Sequence, residues 1–359
     1  MTQLNAQTKP SGRLSVGKRI AFAAVVVVAA LLVPAAALIG IDVYLHGKYA
    51  TTGGFNVWGY RGPVAGRKRA GEYRVAFLGG STVFGYGVKW TEAIPAMLED
   101  RLQKSGVRPF SVVNLGYNNE GAYSMRFTLQ DYAYLDYDLV CLYEGYNDVN
   151  GDNFSVFRHD SPVFRLTSYL PIFPIVLREK AAALLHGGDI GALYRHEGKT
   201  VFRASIAQRA AAGVLDATAA VGESLERRLD PVTARPSRRL AADLATGCAE
   251  PSQHYCEAMF VAVDYALRAG KQVIVITQPY GTGVVPAARH RIQQRELAAM
   301  IARKFGANGR VKYVNLGDGV NLDDPLLSFD HMHLTAEGNR RIGTALVEPV
   351  LEMAATRRQ

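Results

Sequence analysis

From Ile20 to Ile41 the chain carries 22 residues without a single charge. Inside a hydrocarbon core every backbone N–H and C=O must be paired within the protein, so a lone run of this kind has one workable form, a helix. At 1.5 Å per residue it reaches about 33 Å, enough to cross a bilayer. Lys9, Arg13, Lys18 and Arg19 precede it. Basic flanks stay on the cytoplasmic side, which predicts a cytoplasmic tail over residues 1–19, a signal-anchor helix over 20–42 and everything later outside the cytoplasm. A cleavable signal peptide is the rival reading, with Ala35-Ala36-Ala37 offering small residues to a peptidase, but the apolar run is longer than a usual signal core. The expected address is thus a single-pass inner-membrane protein whose bulk is periplasmic or otherwise extracytoplasmic.

The remaining chain reads as globular. Its 359 residues are 48% hydrophobic and 20% charged, which supplies ample material for a core. The formal net charge of +9 invites an anionic partner, yet the basic residues are scattered. Their largest cluster is Arg227, Arg228, Arg235, Arg238 and Arg239, and no nucleic-acid signature accompanies it. It is read as a solvated face, with no nucleic acid as partner. Cys248 and Cys256 flank a short polar loop and form a disulfide candidate in an oxidising compartment, the alternative being two unlinked thiols. Cys141 sits in the apolar run Leu139-Val140-Cys141-Leu142-Tyr143 and suits a buried free thiol.

Residues 43–71 hold Gly53, Gly54, Gly59, Gly62, Pro63, Gly66 and Gly71 and read as a linker. From Glu72 onward short β-branched runs alternate with helical stretches: Arg74–Leu78, Ser111–Val113, Leu139–Leu142, Val273–Thr277 and Lys312–Asn315. Continuous apolar strands are buried on both faces, and intervening helices imply right-handed crossovers. The expected class is α/β, a three-layer α/β/α sandwich on a parallel sheet. Thr91 is expected to cap a helix from Glu92 to Lys104, and Thr335 to start a last helix running to about Ala355. Between about 150 and 245 the alternation breaks into Ser161-Pro162, Leu170-Pro171 and Phe173-Pro174 followed by apolar and Arg-rich stretches. This is read as an insertion into the 72–359 domain that serves as packing, lid, substrate wall or membrane-facing surface.

In an open parallel sheet ligands bind beyond the carboxyl ends of the strands, which directs attention to the residues after each strand. After the first come Gly79-Gly80-Ser81-Thr82, a tight turn that can present a hydroxyl, with no Walker lysine and no G-x-G-x-x-G. After the second comes a loop from Asn114 through Gly116 and Gly121 to Ser124, whose N–H groups can face an oxyanion. After the third comes Glu144-Gly145-Tyr146-Asn147-Asp148, with a side-chain amide donor. Near the C-terminus stands Asp330-His331-Met332-His333, where a carboxylate can hold the imidazole of His333 in one tautomer and free its other nitrogen for a serine proton. A metal site on His331 and His333 is the competing reading, but no further ligand cluster completes it.

Taken in this order, the four blocks resemble the SGNH, or GDSL-type, hydrolase family from about Tyr73 to Glu352, apart from the insertion. The resemblance implies Ser81 as nucleophile, Asp330 and His333 as acid and base, and an oxyanion hole made by the Ser81 N–H, Asn147 and either Gly121 or Gly116. Gly121 is favoured by the Ala122-Tyr123-Ser124 that follows it. Two departures stand out: G-G-S-T replaces G-D-S-L, and the spacing from Asn114 to Gly121 is longer than N-x-G-x-x-G. The implied activity is cofactor-free hydrolysis of acyl esters, first among them O-acetyl groups on extracytoplasmic carbohydrate. A lysophospholipase or lipase is the alternative, favoured if the stretch from Pro162 to Leu185 forms an acyl groove; a glycan-binding scaffold without catalysis is the other. The topology is directly testable: a reporter active only outside the cytoplasm, fused after Gln359, should be active, and the same fusion to a cytoplasm-dependent reporter should be silent.

Overall fold

The computed structural model describes residues 15–52, 54–185, 187–188, 204–229, 244–281 and 287–356. The chain divides into two units, Met1–Tyr44 and Leu45–Gln359. The apolar run belongs to one helix, Val16–Tyr49, which contains Pro34 and is long and apolar enough to cross a membrane.

The second unit is built on five strands: β1 (Tyr73–Gly79), β2 (Phe110–Asn114), β3 (Leu139–Tyr143), β4 (Gln272–Ile276) and β5 (Val311–Val314). They pair in the order β2-β1-β3-β4-β5, every neighbour parallel. Because side chains alternate across a strand, each strand feeds two cores. Val75, Phe77, Leu139, Cys141, Ile274 and Ile276 pack with Leu98, Leu102, Ile342 and Val350 of the helices Ile94–Lys104, Ala336–Ala345 and Val347–Thr356. Ala76, Leu78, Val140, Leu142, Val273 and Val275 pack with Met259, Val263, Leu297 and Met300 of Gln253–Arg268 and Ala287–Phe305. That is the expected three-layer α/β/α arrangement.

Two helix expectations need correction. The stretch after Thr91 is a 3-10 turn, Trp90–Glu92, and the α-helix begins only at Ile94, with Pro95 in its first turn where a missing N–H costs nothing. The C-terminal helix is two helices broken at Leu346. Pro349 has no N–H to offer the Ala345 carbonyl, so a continuous ladder cannot form there. Thr335 does cap the first of them, its Oγ1 accepting from the Gly338 N–H.

Within the 43–71 stretch, Phe55, Tyr60 and Arg61 are buried. The buried His46 ring bonds the carbonyls of Phe55 and Leu170, tying this stretch to the 150–245 region. Described residues of that region form the helices Phe157–Asp160, Pro162–Thr167, Phe173–Leu185 and Ile206–Arg227. The last two pack together and are joined by the Arg178–Glu223 ion pair. Of the basic cluster, Arg227 and Arg228 are exposed, while Arg235, Arg238 and Arg239 lie outside the described residues.

The structure joins Cys248 to Cys256 with Cα atoms 6.4 Å apart, and Cys141 is a buried free thiol. In protein purified from an oxidising compartment, a thiol reagent under unfolding conditions without reductant should modify Cys141 alone. Adding reductant should expose all three cysteines. The closed loop is short, so the Cys248→Ser/Cys256→Ser double variant should lose only about 2.5 kcal/mol of stability in denaturant titration.

Candidate active site

The strand order reverses between β1 and β3, and their carboxyl ends form the crevice where open α/β sheets place their ligands. Two glycines allow the two ends to meet. A Cβ on Gly79 would stand 2.2 Å from the Tyr143 carbonyl oxygen, and one on Gly80 would stand 2.2 Å from Asn147 Nδ2 and 3.0 Å from the Glu120 carbonyl oxygen. An aspartate at position 80, as in G-D-S-L, would require those atoms to shift.

Ser81 opens a four-residue helix, Ser81–Phe84, and is 8% exposed. The carboxyl end of this helix is held from outside itself. Asn114 Nδ2 donates to the carbonyls of Val83 and Phe84 at 2.9 and 3.3 Å. The Arg61 guanidinium donates to the carbonyls of Phe84, Gly85, Thr52 and Val88 and lies over the Phe84 ring. Burial pulls the Arg61 pKa down to about 10, with Glu92 opposing, so it remains a cation at neutral pH.

The Asp330–His333 turn faces Ser81. His333 Nε2 lies 2.8 Å from Ser81 Oγ, and His333 Nδ1 lies 2.6 Å from Asp330 Oδ2. Asp330 Oδ1 accepts from the backbone N–H groups of Met332 and His333 at 3.1 and 2.6 Å, so the carboxylate builds the turn that carries its own histidine. Burial alone would raise the Asp330 pKa. The hydrogen bonds and charge of His333 and the Met332 N–H outweigh it and hold the carboxyl below its ordinary value. The imidazole is lodged between aromatic rings, Tyr86 at 4.7 Å and Phe329 at 5.9 Å between centroids. Ser328 Oγ donates to the His333 carbonyl, and Ser328 bridges Leu334. His331 turns away, with a positive φ of 62° and its ring on Asp323, so His331 and His333 do not converge.

Asn147 comes from the 3-10 turn Tyr146–Asp148 after β3. Its Nδ2 donates to the Glu120 carbonyl at 2.8 Å. The neighbouring Asp148 is buried, and its Oδ2 accepts from the Ala122 N–H at 3.0 Å, which braces the loop at Gly121. A Cβ on Gly121 would sit 2.5 Å from Asp148 Oδ1. Gly116 is placed differently: its Cβ would meet the Phe84 N at 2.4 Å, and its own N–H is bonded to Asn114 Oδ1. The structure therefore brings Ser81, His333, Asp330, Asn147 and Gly121 to one end of the sheet, with Gly116 serving as the close contact behind the serine helix. Cys248 and Cys256 pack elsewhere, beside Glu296. Sequence reasoning missed Arg61, Tyr86, Glu144 and Phe329. A buried arginine in a glycine-rich stretch leaves no periodic signal, and the aromatic neighbours of His333 meet it only through folding.

The burial of the loop also rests on an ion pair from the 150–245 region. Arg158, 3% exposed, donates to the Leu115 carbonyl, to Thr128 Oγ1 and to Glu120 Oε2. It thereby anchors the same Asn114–Ser124 loop whose Glu120 carbonyl receives Asn147.

No family model and no curated protein matches this chain. Several solved structures are similar to it. A member of the lipolytic protein G-D-S-L family from Veillonella parvula DSM 2008 is 10% identical, covering 77% of this chain and 97% of its own, with a TM-score of 0.41. A carbohydrate acetylesterase from Sinorhizobium meliloti is 14% identical over 78% of this chain and 98% of its own, with a TM-score of 0.37. A catalytic mutant of an acetylxylan esterase from Geobacillus stearothermophilus is 14% identical over 77% of this chain and 94% of its own, with a TM-score of 0.42.

The tight approach at Gly80 generates a test. In Gly80→Ala the new methyl displaces Asn147 Nδ2 while leaving Ser81, His333 and Asp330 in place. Labelling of Ser81 by a fluorophosphonate probe should slow by about 100-fold, with the far-ultraviolet circular dichroism unchanged, because a misplacement of about 1 Å at a reacting centre costs that much.

Proposed function

We propose that this chain is a serine esterase of the SGNH type, carried outside the cytoplasm on its N-terminal helix, that removes small acyl groups, first of all acetyl, from carbohydrate. The observation that carries this reading is the continuous chain from Asp330 Oδ2 to His333 Nδ1 and from His333 Nε2 to Ser81 Oγ, at 2.6 and 2.8 Å. Asp330, ionised and bonded, selects the tautomer with a proton on Nδ1, which leaves Nε2 as the acceptor for the serine proton.

As His333 takes that proton, Ser81 Oγ bonds to the ester carbonyl carbon and the carbonyl oxygen becomes an oxyanion. The donors proposed for it are the Ser81 N–H, the Asn147 amide and the Gly121 N–H, since Asn147 and Gly121 stand together across the crevice from Gly80. His333 then gives its proton to the departing alcohol. Water, deprotonated by His333, releases the acyl group and restores Ser81 Oγ–H. Each oxyanion donor is worth about 3 kcal/mol of barrier. Nothing in the sequence of steps requires a cofactor.

A small acyl group is supported by the fate of the apolar side chains once considered for an acyl groove. Phe164, Leu170 and Ile172, from the stretch expected to line such a groove, are buried in the main core and so are committed to holding the fold. Phe329, half exposed beside His333, offers an aromatic face of the kind that stacks on the apolar face of a sugar ring.

The test has two parts. Wild-type protein in detergent should react with a fluorophosphonate probe and turn over p-nitrophenyl acetate, and Ser81→Ala should do neither. His333→Ala should lose nearly as much turnover as Ser81→Ala, and the double variant should be little worse than either, because nucleophile and base act on one step. Asp330→Asn should lose about 10⁴-fold in kcat by presenting the wrong tautomer. In a panel of acetylated glycans and phospholipids, released acetate rather than fatty acid is the expected product. Wild-type turnover by Ser81→Ala would overturn the esterase reading.

A further inference from the structure

Glu144 is a carboxyl group with no role in the chemistry just described, and it lies beside the proposed oxyanion donors, bonded to the Asn147 N–H and facing Gly80 next to Ser81. It follows β3 directly, is 1% exposed, and its side chain turns back over the turn it begins. Oε1 accepts from the Gly145 N–H at 3.0 Å and from the Asn147 N–H at 3.4 Å. Oε2 faces the Gly80 backbone, 2.9 Å from where a Cβ on Gly80 would be, without closing a well-formed hydrogen bond. The Glu144 backbone is pinned in turn, its carbonyl accepting from Tyr255 Oη at 2.7 Å, and Gln294 Nε2 donates to that same hydroxyl at 3.3 Å. Gly145 has no room for a side chain, since a Cβ would stand 2.4 Å from Gln294 Nε2.

We propose that Glu144 is a positioning residue for the oxyanion site: its carboxyl grips the Gly145–Asn147 turn by Oε1 and abuts Gly80 by Oε2, and so sets the Asn147 amide against the Ser81 turn. The inference rests on the esterase reading of the site. Asn147 is held by the Glu120 carbonyl on its side chain, by Glu144 on its backbone N–H and by Asn153 Nδ2 on its backbone carbonyl, and Glu144 is the side chain that also faces Gly80 in the strand-to-helix turn carrying the proposed nucleophile. A hydrogen-bonding residue that fixes its neighbours in place is what a preorganised oxyanion hole needs, because donors that must reorient during reaction forfeit most of their value.

The chemical state of the group fits this role. Burial first, and the nearby Asp148 second, push the Glu144 carboxyl well above its ordinary range, and the N–H groups of Gly145, Asn147 and Gly80 only partly offset them. A neutral carboxyl still presents a carbonyl oxygen to the turn, and it adds no negative charge beside a developing oxyanion. Glutamine keeps that acceptor and that neutrality, whereas leucine fills similar space with neither.

The experiment compares Glu144→Gln and Glu144→Leu with wild type and Ser81→Ala on p-nitrophenyl acetate, together with hydrogen exchange of peptides spanning Gly79–Phe84 and Glu144–Val149. Glu144→Gln should keep kcat within about fivefold. Glu144→Leu should lose about 100-fold in kcat with KM within about twofold, the size expected for one oxyanion donor out of place. Its two peptides should exchange faster, while those of Glu144→Gln match wild type. A leucine variant with wild-type kcat, a loss confined to KM, or an equal loss in both variants would overturn the role. If Ser81→Ala turns over at the wild-type rate, the esterase reading itself has failed. Hydrogen exchange then decides alone: faster exchange in the leucine variant only supports Glu144 as the brace of this turn, and unchanged exchange rejects it.

Discussion

The contact on which the rest of the site depends is the approach of two strand ends without side chains between them. Gly79 lies against the Tyr143 carbonyl and Gly80 against Asn147, Glu144 and the Glu120 carbonyl. Because β1 and β3 are neighbours in a parallel sheet, their loops leave from the same edge. The reversal of strand order then sends the chain away on either side and leaves a crevice. That crevice receives the Ser81 hydroxyl from the turn after β1 and the Asn147 amide from the turn after β3.

The short serine helix cannot hold itself in place. Four residues make barely one turn; the Ser81 carbonyl accepts from the Gly85 and Tyr86 N–H groups, but those of Val83 and Phe84 need partners from elsewhere in a buried setting. Arg61 and Asn114 supply those partners, and Gly116 lets the second loop lie directly against the helix backbone. On the opposite side, Asp330 organises the turn that carries His333, and Tyr86 and Phe329 confine the ring. The proposed nucleophile and base, Ser81 and His333, are therefore fixed by separate scaffolds that meet across 2.8 Å. Such rigidity has energetic value, since misalignment at a reacting centre costs far more than the few contacts involved contribute to folding.

Several buried acids surround this site, and their environments divide them. Asp330, fed by two N–H groups and an imidazole, is held ionised despite its burial. Glu144 and Asp148, both buried, are pushed upward chiefly by burial. Glu120 is also raised by burial, although Arg158 lies beside it and works the other way. Asp330, beside the proposed base, is held charged while Glu144 and Asp148, beside the proposed oxyanion donors, are pushed toward neutrality, a division that suits the proposed chemistry, in which negative charge develops on substrate.

The sequence by itself determined the apolar helix, the α/β class, the alternation of strands with helices and the four loops worth examining, because each is written in local patterns of hydrophobicity, glycine and spacing. Asp330 and His333 could be read together since only two residues, His331 and Met332, lie between them. Ser81 and Asn147 were legible as types that follow strands. The tertiary structure alone decided which loops meet. It set Gly121 against Asp148 and Gly116 against the Phe84 backbone, turned His331 away from His333, broke the last helix at Leu346, and carried Arg61 and Arg158 from distant segments to the backs of two loops of the candidate site. Those outcomes depend on carbonyls and charges that need partners once buried, and a buried group takes whichever partner the packed chain brings within 3 Å or so, irrespective of its distance along the sequence.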